Sequence, residues 1–218
     1  MGVIYSVATP IGNLEDITVR ALRILNEVEL IVCEDTRVSR ILLQHYNIHQ
    51  PTSSIHQHST PQQRQRIIDQ VQAGQSIAMI TDAGTPGISD PGVALIQQAI
   101  AQGVRVIPIP GASAVITALQ AAGVDCSRFL FIGFLPHKKG RHTWLQTVID
   151  YPGTVVMYES PHRLLKTLTV LGASKRRVVV ARELTKLHEE FVQGTAQQVY
   201  EEFAKRSKIL GEYVIIVH

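Results

Sequence analysis

Short apolar runs alternate with amphipathic segments along the first half of the chain. Each run ends among Gly, Pro, Asp or Thr residues, which is typical of buried strands that lead into loops. The strands that we predict are residues 3–8, 30–33, 77–80 and 104–108, with a shorter one within 45–60. We predict one helix that begins at Asp16, one that passes through residues 41–43, and three that span 61–73, 91–102 and 114–122. Strands and helices in alternation indicate an α/β domain.

The same pattern restarts at residues 129–132, so we place a domain boundary near residue 125. The further elements that we predict are strands at 154–158, 178–181, 189–194 and 213–217, and helices after the basic loop 136–142 and over 196–205. The sequence therefore predicts two α/β domains, residues 1–125 and 126–218.

The loop at residues 81–92 stands out because it is long, polar and rich in both Gly and Pro. Glycines such as Gly84 permit positive φ or a close approach of backbone to a ligand, while prolines stiffen the chain. We expect Asp90 to be the N-cap of the next helix, with Pro91 in its first turn. The loop is either an ordinary connection or a ligand site, and its place after a strand of an α/β sheet favours a site.

Composition excludes a disordered chain, because 45% of the residues are hydrophobic and the mean hydropathy is +0.10. No apolar run approaches the roughly 20 residues of a membrane span, and no basic region precedes the first apolar run as in a signal peptide. We therefore expect a soluble cytoplasmic protein. Cys33 and Cys126 lie in apolar surroundings without metal-ligand spacing, so we expect both to be buried free thiols.

The net charge of +3 at pH 7 is unevenly distributed. Residues 1–110 hold seven Arg, no Lys and nine acidic residues, whereas residues 111–218 hold fourteen Lys or Arg and nine acidic residues. A basic half can contact a phosphate backbone, although such an excess is also common in proteins that bind no nucleic acid.

Two polar clusters have open interpretations. Residues 34–37 follow a predicted strand, where they either cap the next helix or belong to a site. Four of the nine histidines fall within 45–60, including His56 and His58, but no acidic or Cys partner stands at ligand spacing. We therefore expect no metal site.

Several motifs, each weak alone, together resemble the tetrapyrrole methylase superfamily, and within it the branch that methylates a cytidine ribose of 16S ribosomal RNA. They are residues 8–14, 33–37, 82–86 with 90–92, 110–111, 158–160 with 162–163, and 182–186. The resemblance implies a two-domain fold distinct from the Rossmann fold, a homodimer, and S-adenosylmethionine in the cleft between the domains. Its substrate would be the decoding region of the RNA, within the small ribosomal subunit.

The resemblance implies loops from both halves around the cofactor, which needs close backbone contacts, an apolar slot for adenine and few competing cations. The expected cofactor-binding residues are Pro10, Gly12, Asp82, Ala83, Gly84, Thr85, Pro110, Gly111, Ala112, Tyr158, Glu159, Leu184 and Thr185.

Methyl transfer to a ribose hydroxyl also needs in-line geometry and a group that takes the proton. Five charged residues on loops that face the expected cleft are eligible, and a structural ion pair or helix cap is the alternative for each. These catalytic candidates are Glu34, Asp35, Glu159, Glu183 and Lys186. The cations that we expect at an RNA-facing rim are Arg37, Lys138, Lys139, Arg141, Arg163 and Arg182.

Two other functions stay open from the sequence. A tetrapyrrole or corrinoid C-methyltransferase has the same fold, but the form of the residue 82–86 loop, the residue 34–37 cluster and the basic second half fit the RNA branch better. A non-enzymatic nucleotide-binding or scaffold protein would lack a methyl-donor site. Members of the family usually continue into a helical C-terminal segment, and we expect that segment to be absent here because the sequence ends at His218.

Overall fold

The computed structural model describes residues 2–218, which form two compact units. The first unit runs to Ser113 and the second spans Ala114–His218. In the first unit the elements are β1 (Ile4–Val7), a 3-10 turn (Leu14–Asp16), α1 (Val19–Glu27), β2 (Leu30–Cys33), α2 (Thr36–His45), β3 (Thr52–Ser54), α3 (Pro61–Gln72), β4 (Ile77–Ile80), α4 (Val93–Ala101) and β5 (Val106–Ile109).

The sheet of the first unit is parallel throughout, with strand order β3-β2-β4-β1-β5. Its strands are apolar without interruption because helices cover both faces. In β4, Ala78 and Ile80 point into a cluster with α1 and α2, while Ile77 and Met79 point into a second cluster with α3 and α4. The predicted α/β architecture is confirmed for this unit.

Parallel pairing brings the carboxyl ends of the strands to one edge of the sheet. The strands β1 and β4 are neighbours although residues 8–76 separate them in the chain. The loops after β1, β2, β4 and β5 therefore meet at this edge.

Two predicted helix starts in this unit are wrong. Helix α1 begins at Val19, because residues 14–16 form a separate 3-10 turn and Thr18 accepts the capping hydrogen bond. Helix α4 begins at Val93 with Gly92 as its N-cap. The carboxylate of Asp90 is not at the N-cap and instead accepts from the backbone N–H groups of Gly87 and Gly92, so it closes the loop.

The second unit contains α5 (Ala114–Ala122), β6 (Phe129–Phe134), α6 (Arg141–Asp150), β7 (Thr154–Glu159), α7 (Leu164–Leu171), β8 (Arg177–Arg182), β9 (Glu190–Thr195), α8 (Ala196–Ala204) and β10 (Tyr213–Val217). Its sheet has the order β6-β7-β10-β8-β9 and is mixed, because β6 and β7 pair in parallel while the other pairs are antiparallel. A core of apolar residues from the sheet, α6, α7 and α8 covers one face. Helix α7 was not predicted.

Helix α5 contacts β8 and β10 of the second sheet, and its buried positions include Val115 and Leu119. The structure thus groups α5 with the second unit, whereas the sequence places it before the expected boundary near residue 125. The small residues of α5 do not indicate which of the two sheets this helix covers.

Both cysteines are free thiols, as expected, but their surroundings differ. Cys33 ends β2, an interior strand of the first sheet, and is buried, whereas Cys126 is exposed, which corrects the expectation that both are buried. Within residues 2–218, no helix has the length and apolar character to cross a membrane.

Candidate active site

The loop after β1 is hydrogen-bonded to the loop after β4. The backbone N–H of Thr9 donates to the carbonyl of Gly84 at 2.9 Å, and the N–H of Gly84 donates back to Thr9 at 3.0 Å. The Thr9 hydroxyl, which is buried, donates to the carbonyl of Thr81 at 3.1 Å. This two-way bridge holds residues 10–12 beside residues 82–85.

The loop after β5 packs against the loops after β1 and β4. The Thr85 hydroxyl donates to the carbonyl of Ala112 at 3.2 Å. A Cβ atom on Gly111 would lie 2.9 Å from the Cβ of Ala8, closer than side chains tolerate, so only glycine fits there. The nine cofactor candidates of the first unit, from Pro10 to Ala112, therefore lie on three loops that contact one another.

Gly84 adopts φ +82°, a conformation that L side chains rarely occupy. The nearest atom to an added Cβ is 3.4 Å away, so the backbone angle is a stronger constraint than space. Sequence reasoning placed Gly84 in the site but missed Thr9, which ties the loops together. Its position directly after a strand and before Pro10 was the available signal.

Asp35 is the N-cap of α2 and accepts from the backbone N–H of Arg37 at 2.8 Å. The guanidinium of Arg37 also contacts both oxygens of this carboxylate. These hydrogen bonds lower the pKa of Asp35 to about 2, which makes it a weak proton acceptor. Asp35 is therefore a helix cap, which was the alternative to a role in the site. Arg37 is paired with Asp35 within the same turn.

Glu34 lies beside this cap and makes no hydrogen bond or ion pair within residues 2–218. Partial burial raises its pKa, and the negative charges of Asp82, Asp90 and Asp35 raise it further. The pKa of Asp82 is also raised, mainly by desolvation, although its oxygen accepts from the Asp35 N–H at 3.2 Å. Glu34 and Asp82 are therefore the more basic carboxylates of this loop cluster.

Glu159 ends β7 and is 1% exposed, yet its carboxylate is fully partnered. Arg141 approaches it at 2.6 Å and Arg163 at 2.9 Å. The Thr167 hydroxyl donates at 2.6 Å, and the backbone N–H of Ser160 at 2.9 Å. A carboxylate that is almost fully buried and contacted by two cations and two further donors is out of reach of a substrate hydroxyl. Glu159 is therefore part of a structural ion-pair network, which was the alternative to a catalytic role.

This network changes the expectation for two predicted RNA-binding cations. Arg141 and Arg163 are each only 16% exposed and point at Glu159. Arg182 pairs with Glu190 at 2.9 Å and donates to the carbonyl of Leu210 at 2.8 Å. Within the described chain, the cations of the expected rim that are exposed and carry no ion pair are Lys138 and Lys139.

The turn after β8 has a strained backbone, with φ +50° at Glu183 and +66° at Thr185. Burial raises the pKa of Glu183, but hydrogen bonds from Lys186 and the Glu212 N–H outweigh it and lower the pKa overall. Burial lowers the pKa of Lys186, but hydrogen bonds to Glu212 and Glu183 outweigh it and raise the pKa overall. Neither group is suited to take a proton at neutral pH.

The same turn contains an unsatisfied hydroxyl. The Oγ1 atom of Thr185 is buried and has no hydrogen-bond partner within residues 2–218, while the Thr185 N–H donates to Glu189 at 2.6 Å. Its neighbour Leu184 is buried and apolar. A buried hydroxyl without a partner beside an apolar side chain fits a ligand with polar edges and an apolar ring, such as an adenosine.

Tyr158 precedes Glu159 on β7, and its ring packs against those of Phe131 and Phe134, whose centroids are 5.1 and 5.2 Å away. Burial raises the pKa of its hydroxyl, which therefore stays neutral. The residue offers an aromatic face and a neutral polar group, as a cofactor contact requires.

We predict that Glu159→Gln destabilises the protein by about 3 kcal/mol, because it leaves two buried guanidinium groups without a counter-charge. Urea unfolding followed by the fluorescence of Trp144, the single Trp, measures this loss. The control is Glu201→Gln on the exposed side of α8, which should change stability by less than about 0.5 kcal/mol. Equal effects of the two variants would refute a structural role for the network.

Comparison of this chain with known proteins identifies the family to which it is similar. The model of the family described as Tetrapyrrole (Corrin/Porphyrin) Methylases matches residues 3–200. Ribosomal RNA small subunit methyltransferase I of Halalkalibacterium halodurans is 47% identical over 219 residues, which cover 99% of this chain and 75% of that protein. The protein of the same name from Pseudomonas aeruginosa is 47% identical over 222 residues, covering 99% of this chain and 78% of its own length.

Solved structures share the fold at low identity. Diphthine synthase matches with a TM-score of 0.77 and 13% identity, over 99% of this chain and 89% of that chain. Uroporphyrin-III C-methyltransferase from Thermus thermophilus, complexed with S-adenyl homocysteine, matches with a TM-score of 0.64 and 16% identity, over 99% and 97% of the two chains. Together with the match over residues 3–200, these findings establish that the chain belongs to the tetrapyrrole (corrin/porphyrin) methylase family.

Proposed function

We propose that this protein transfers a methyl group from S-adenosylmethionine to the ribose 2′-hydroxyl of a cytidine in the decoding region of 16S ribosomal RNA. The observation that carries the proposal is 47% identity over 99% of the chain to proteins named Ribosomal RNA small subunit methyltransferase I. The chain spans about three quarters of those relatives.

The loops of the first unit supply contacts of the kind that the methyl donor needs. The bridge between Thr9 and Gly84 and the close approach at Gly111 bring together three loops, residues 8–13, 81–92 and 110–113, that contain no Lys or Arg. A sulfonium gains nothing from nearby positive charge, so such a surface suits it better than the basic loops do. In the second unit, the unsatisfied Thr185 hydroxyl is a candidate contact for the same ligand.

The reaction forms a bond between the ribose oxygen and the methyl carbon as the bond from that carbon to sulfur breaks. The hydroxyl proton must leave, and the donor becomes S-adenosylhomocysteine. Glu34 is the one of the five catalytic candidates that combines a raised pKa with no partner in the described chain, and Asp82 shares the raised pKa. These two carboxylates are the groups that we propose for accepting the proton.

We further propose that the substrate is the RNA within the small ribosomal subunit, that the protein acts in the cytoplasm, and that it is a homodimer. The exposed apolar residues Phe134 and Trp144 are consistent with a second copy covering part of the surface.

We expect the purified protein to transfer labelled methyl from S-adenosylmethionine to under-methylated small subunits and not to a tetrapyrrole. Nuclease digestion and mass spectrometry of the nucleosides should then find 2′-O-methylcytidine. Transfer to the tetrapyrrole alone would reject the proposal in favour of a small-molecule methylase, and a base-methylated nucleoside would reject the ribose as the target.

We expect Thr185→Val to weaken binding of S-adenosylmethionine by roughly 3- to 10-fold, because the shape is kept while one hydrogen-bond donor is lost. The thermal stability of the unliganded protein should not fall, since the hydroxyl has no partner there. Calorimetric titration and melting curves measure the two effects. Unchanged donor affinity would remove Thr185 from the site.

We expect Lys138→Gln/Lys139→Gln to weaken subunit binding and to reduce the slope of log affinity against log salt by about 1–2, because phosphate contacts and their counterions are lost. Donor affinity should stay the same. The matched control is Lys205→Gln/Lys208→Gln, which removes the same charge from the end of α8. Identical slopes for the two double variants would mean that the loop makes no specific phosphate contact.

A further inference from the structure

The turn that follows β8, residues 183–189, has a backbone conformation that is unusual for its residue types. Glu183 and Thr185 have φ of +50° and +66°, in the left-handed region that side chains disfavour. For a β-branched residue such as Thr185 this conformation is an outlier. Such conformations persist only where surrounding contacts impose them, and they are concentrated at functional sites. The contacts that impose this turn therefore identify the side chains that shape it.

The carboxylate of Glu183 is the centre of these contacts. Its Oε1 atom accepts from the backbone N–H of Glu212 at 3.0 Å and from the Nζ atom of Lys186 at 3.0 Å. The first contact joins the turn to the residue before β10, and the second closes the turn on itself. The backbone N–H of Glu183 also donates to the carbonyl of Glu212 at 3.0 Å. Glu183 thus fixes the turn to a neighbouring strand.

The chain leaves room for this carboxylate at Gly211. This residue has φ +105°, and a Cβ atom placed on it would lie 2.8 Å from the Cδ, Cγ and Oε1 atoms of Glu183. A side chain at position 211 would therefore displace the carboxylate that holds the turn. The Glu183 side chain is only 18% exposed, so its hydrogen bonds are stronger than those of a carboxylate in water.

The polar group that this turn presents is the hydroxyl of Thr185. Its Oγ1 atom is buried without a partner in the described chain, although buried polar groups normally have one. The backbone N–H of the same residue is held by the carboxylate of Glu189 at 2.6 Å. Thr185 as a whole is half-buried, so rotation about its Cα–Cβ bond can bring the hydroxyl to a ligand at the surface of the turn. The strain and the unsatisfied hydroxyl both lower the stability of the unliganded protein, and a ligand contact explains why they are kept.

We propose that Glu183 is a positioning residue for the methyl donor. Its carboxylate holds the turn in the conformation that places the Thr185 hydroxyl against the donor, and it does not touch the donor itself. The proposal rests on the donor contact inferred above for Thr185 and adds the side chain on which that contact depends. No bond forms or breaks at Glu183, so its effect is expected in donor binding and not in the transfer of the methyl group.

The test is a double-mutant cycle on the affinity for S-adenosylmethionine, measured by calorimetric titration. We expect Glu183→Ala and Thr185→Val each to weaken binding by roughly 3- to 10-fold, because both remove the same contact. We expect the double variant to be no more than about twofold weaker than either single variant, because Glu183 acts through the hydroxyl that Thr185→Val has removed. Two independent contacts would instead multiply to roughly 10- to 100-fold.

Further variants separate positioning from folding. Glu183→Gln keeps the shape of the side chain and can still accept from the Glu212 N–H, so we expect it to fold, to bind the donor more weakly than the unaltered protein and to show the same non-additivity with Thr185→Val. In transfer assays it should raise the KM for the donor and leave kcat within about twofold. The control, Glu202→Ala, removes an exposed carboxylate that pairs at the same i,i+3 spacing with Lys205, and it should leave donor affinity unchanged.

Thr185→Gly tests the strain directly. Glycine adopts positive φ about as readily as negative φ, and this variant also removes the unsatisfied hydroxyl. The melting temperature of the unliganded protein should therefore rise by roughly 2–4 °C while donor affinity falls. A melting temperature that falls would mean that the turn holds no strain at Thr185, which contradicts the inference.

Each remaining outcome also bears on the inference. Full donor affinity in Glu183→Ala, or multiplicative effects in the cycle, overturns it while the methyltransferase function stands. A kcat that falls with KM unchanged would place Glu183 in the reaction step and overturns it too. Full donor affinity in Thr185→Val removes the contact through which Glu183 is proposed to act. An unaltered protein that binds no S-adenosylmethionine would instead remove the proposed function itself.

Discussion

The parallel pairing of β4 with β1 and β2 is the constraint on which the candidate site of the first unit depends. Parallel strands place all their carboxyl ends on one edge, so loops that are distant in the chain become neighbours. The bridge between Thr9 and Gly84 extends this pairing by one step beyond the strands. Helices on both faces fix the sheet between two apolar clusters, so the edge has little freedom to rearrange.

Charge is distributed differently in the two units. At the loop edge of the first unit, burial raises the pKa of Glu34 and Asp82, and neighbouring carboxylates that lack enough cations to pair them raise it further. In the second unit, arginines and carboxylates pair, as Arg141 and Arg163 do with Glu159. The positive net charge of the second half is therefore a poor measure of the charge that is free to meet a polyanion.

Whether an element or a contact can be predicted from the sequence depends on whether the residues that form it are close together or far apart in the chain. The strands of the first unit and the loops after them follow from continuous apolar runs and local turn residues, so they were predicted. Helix α7 was missed because it is only eight residues long and three of its residues, Thr167, Thr169 and Val170, are β-branched, although Leu164, Leu168 and Leu171 recur at helical spacing. The pairing of Arg141 with Glu159 joins different elements, and no periodic pattern encodes such a contact.

The loop at residues 82–92 is one short piece of backbone that is held at both ends. Gly84 is bridged to Thr9 near its start, and Asp90 accepts from the N–H groups of Gly87 and Gly92 near its end. A loop that is already ordered loses less conformational entropy when it contacts another molecule than a free loop would. Preorganisation would then be a property of this one loop, and binding against it would need no movement of the sheet beneath it.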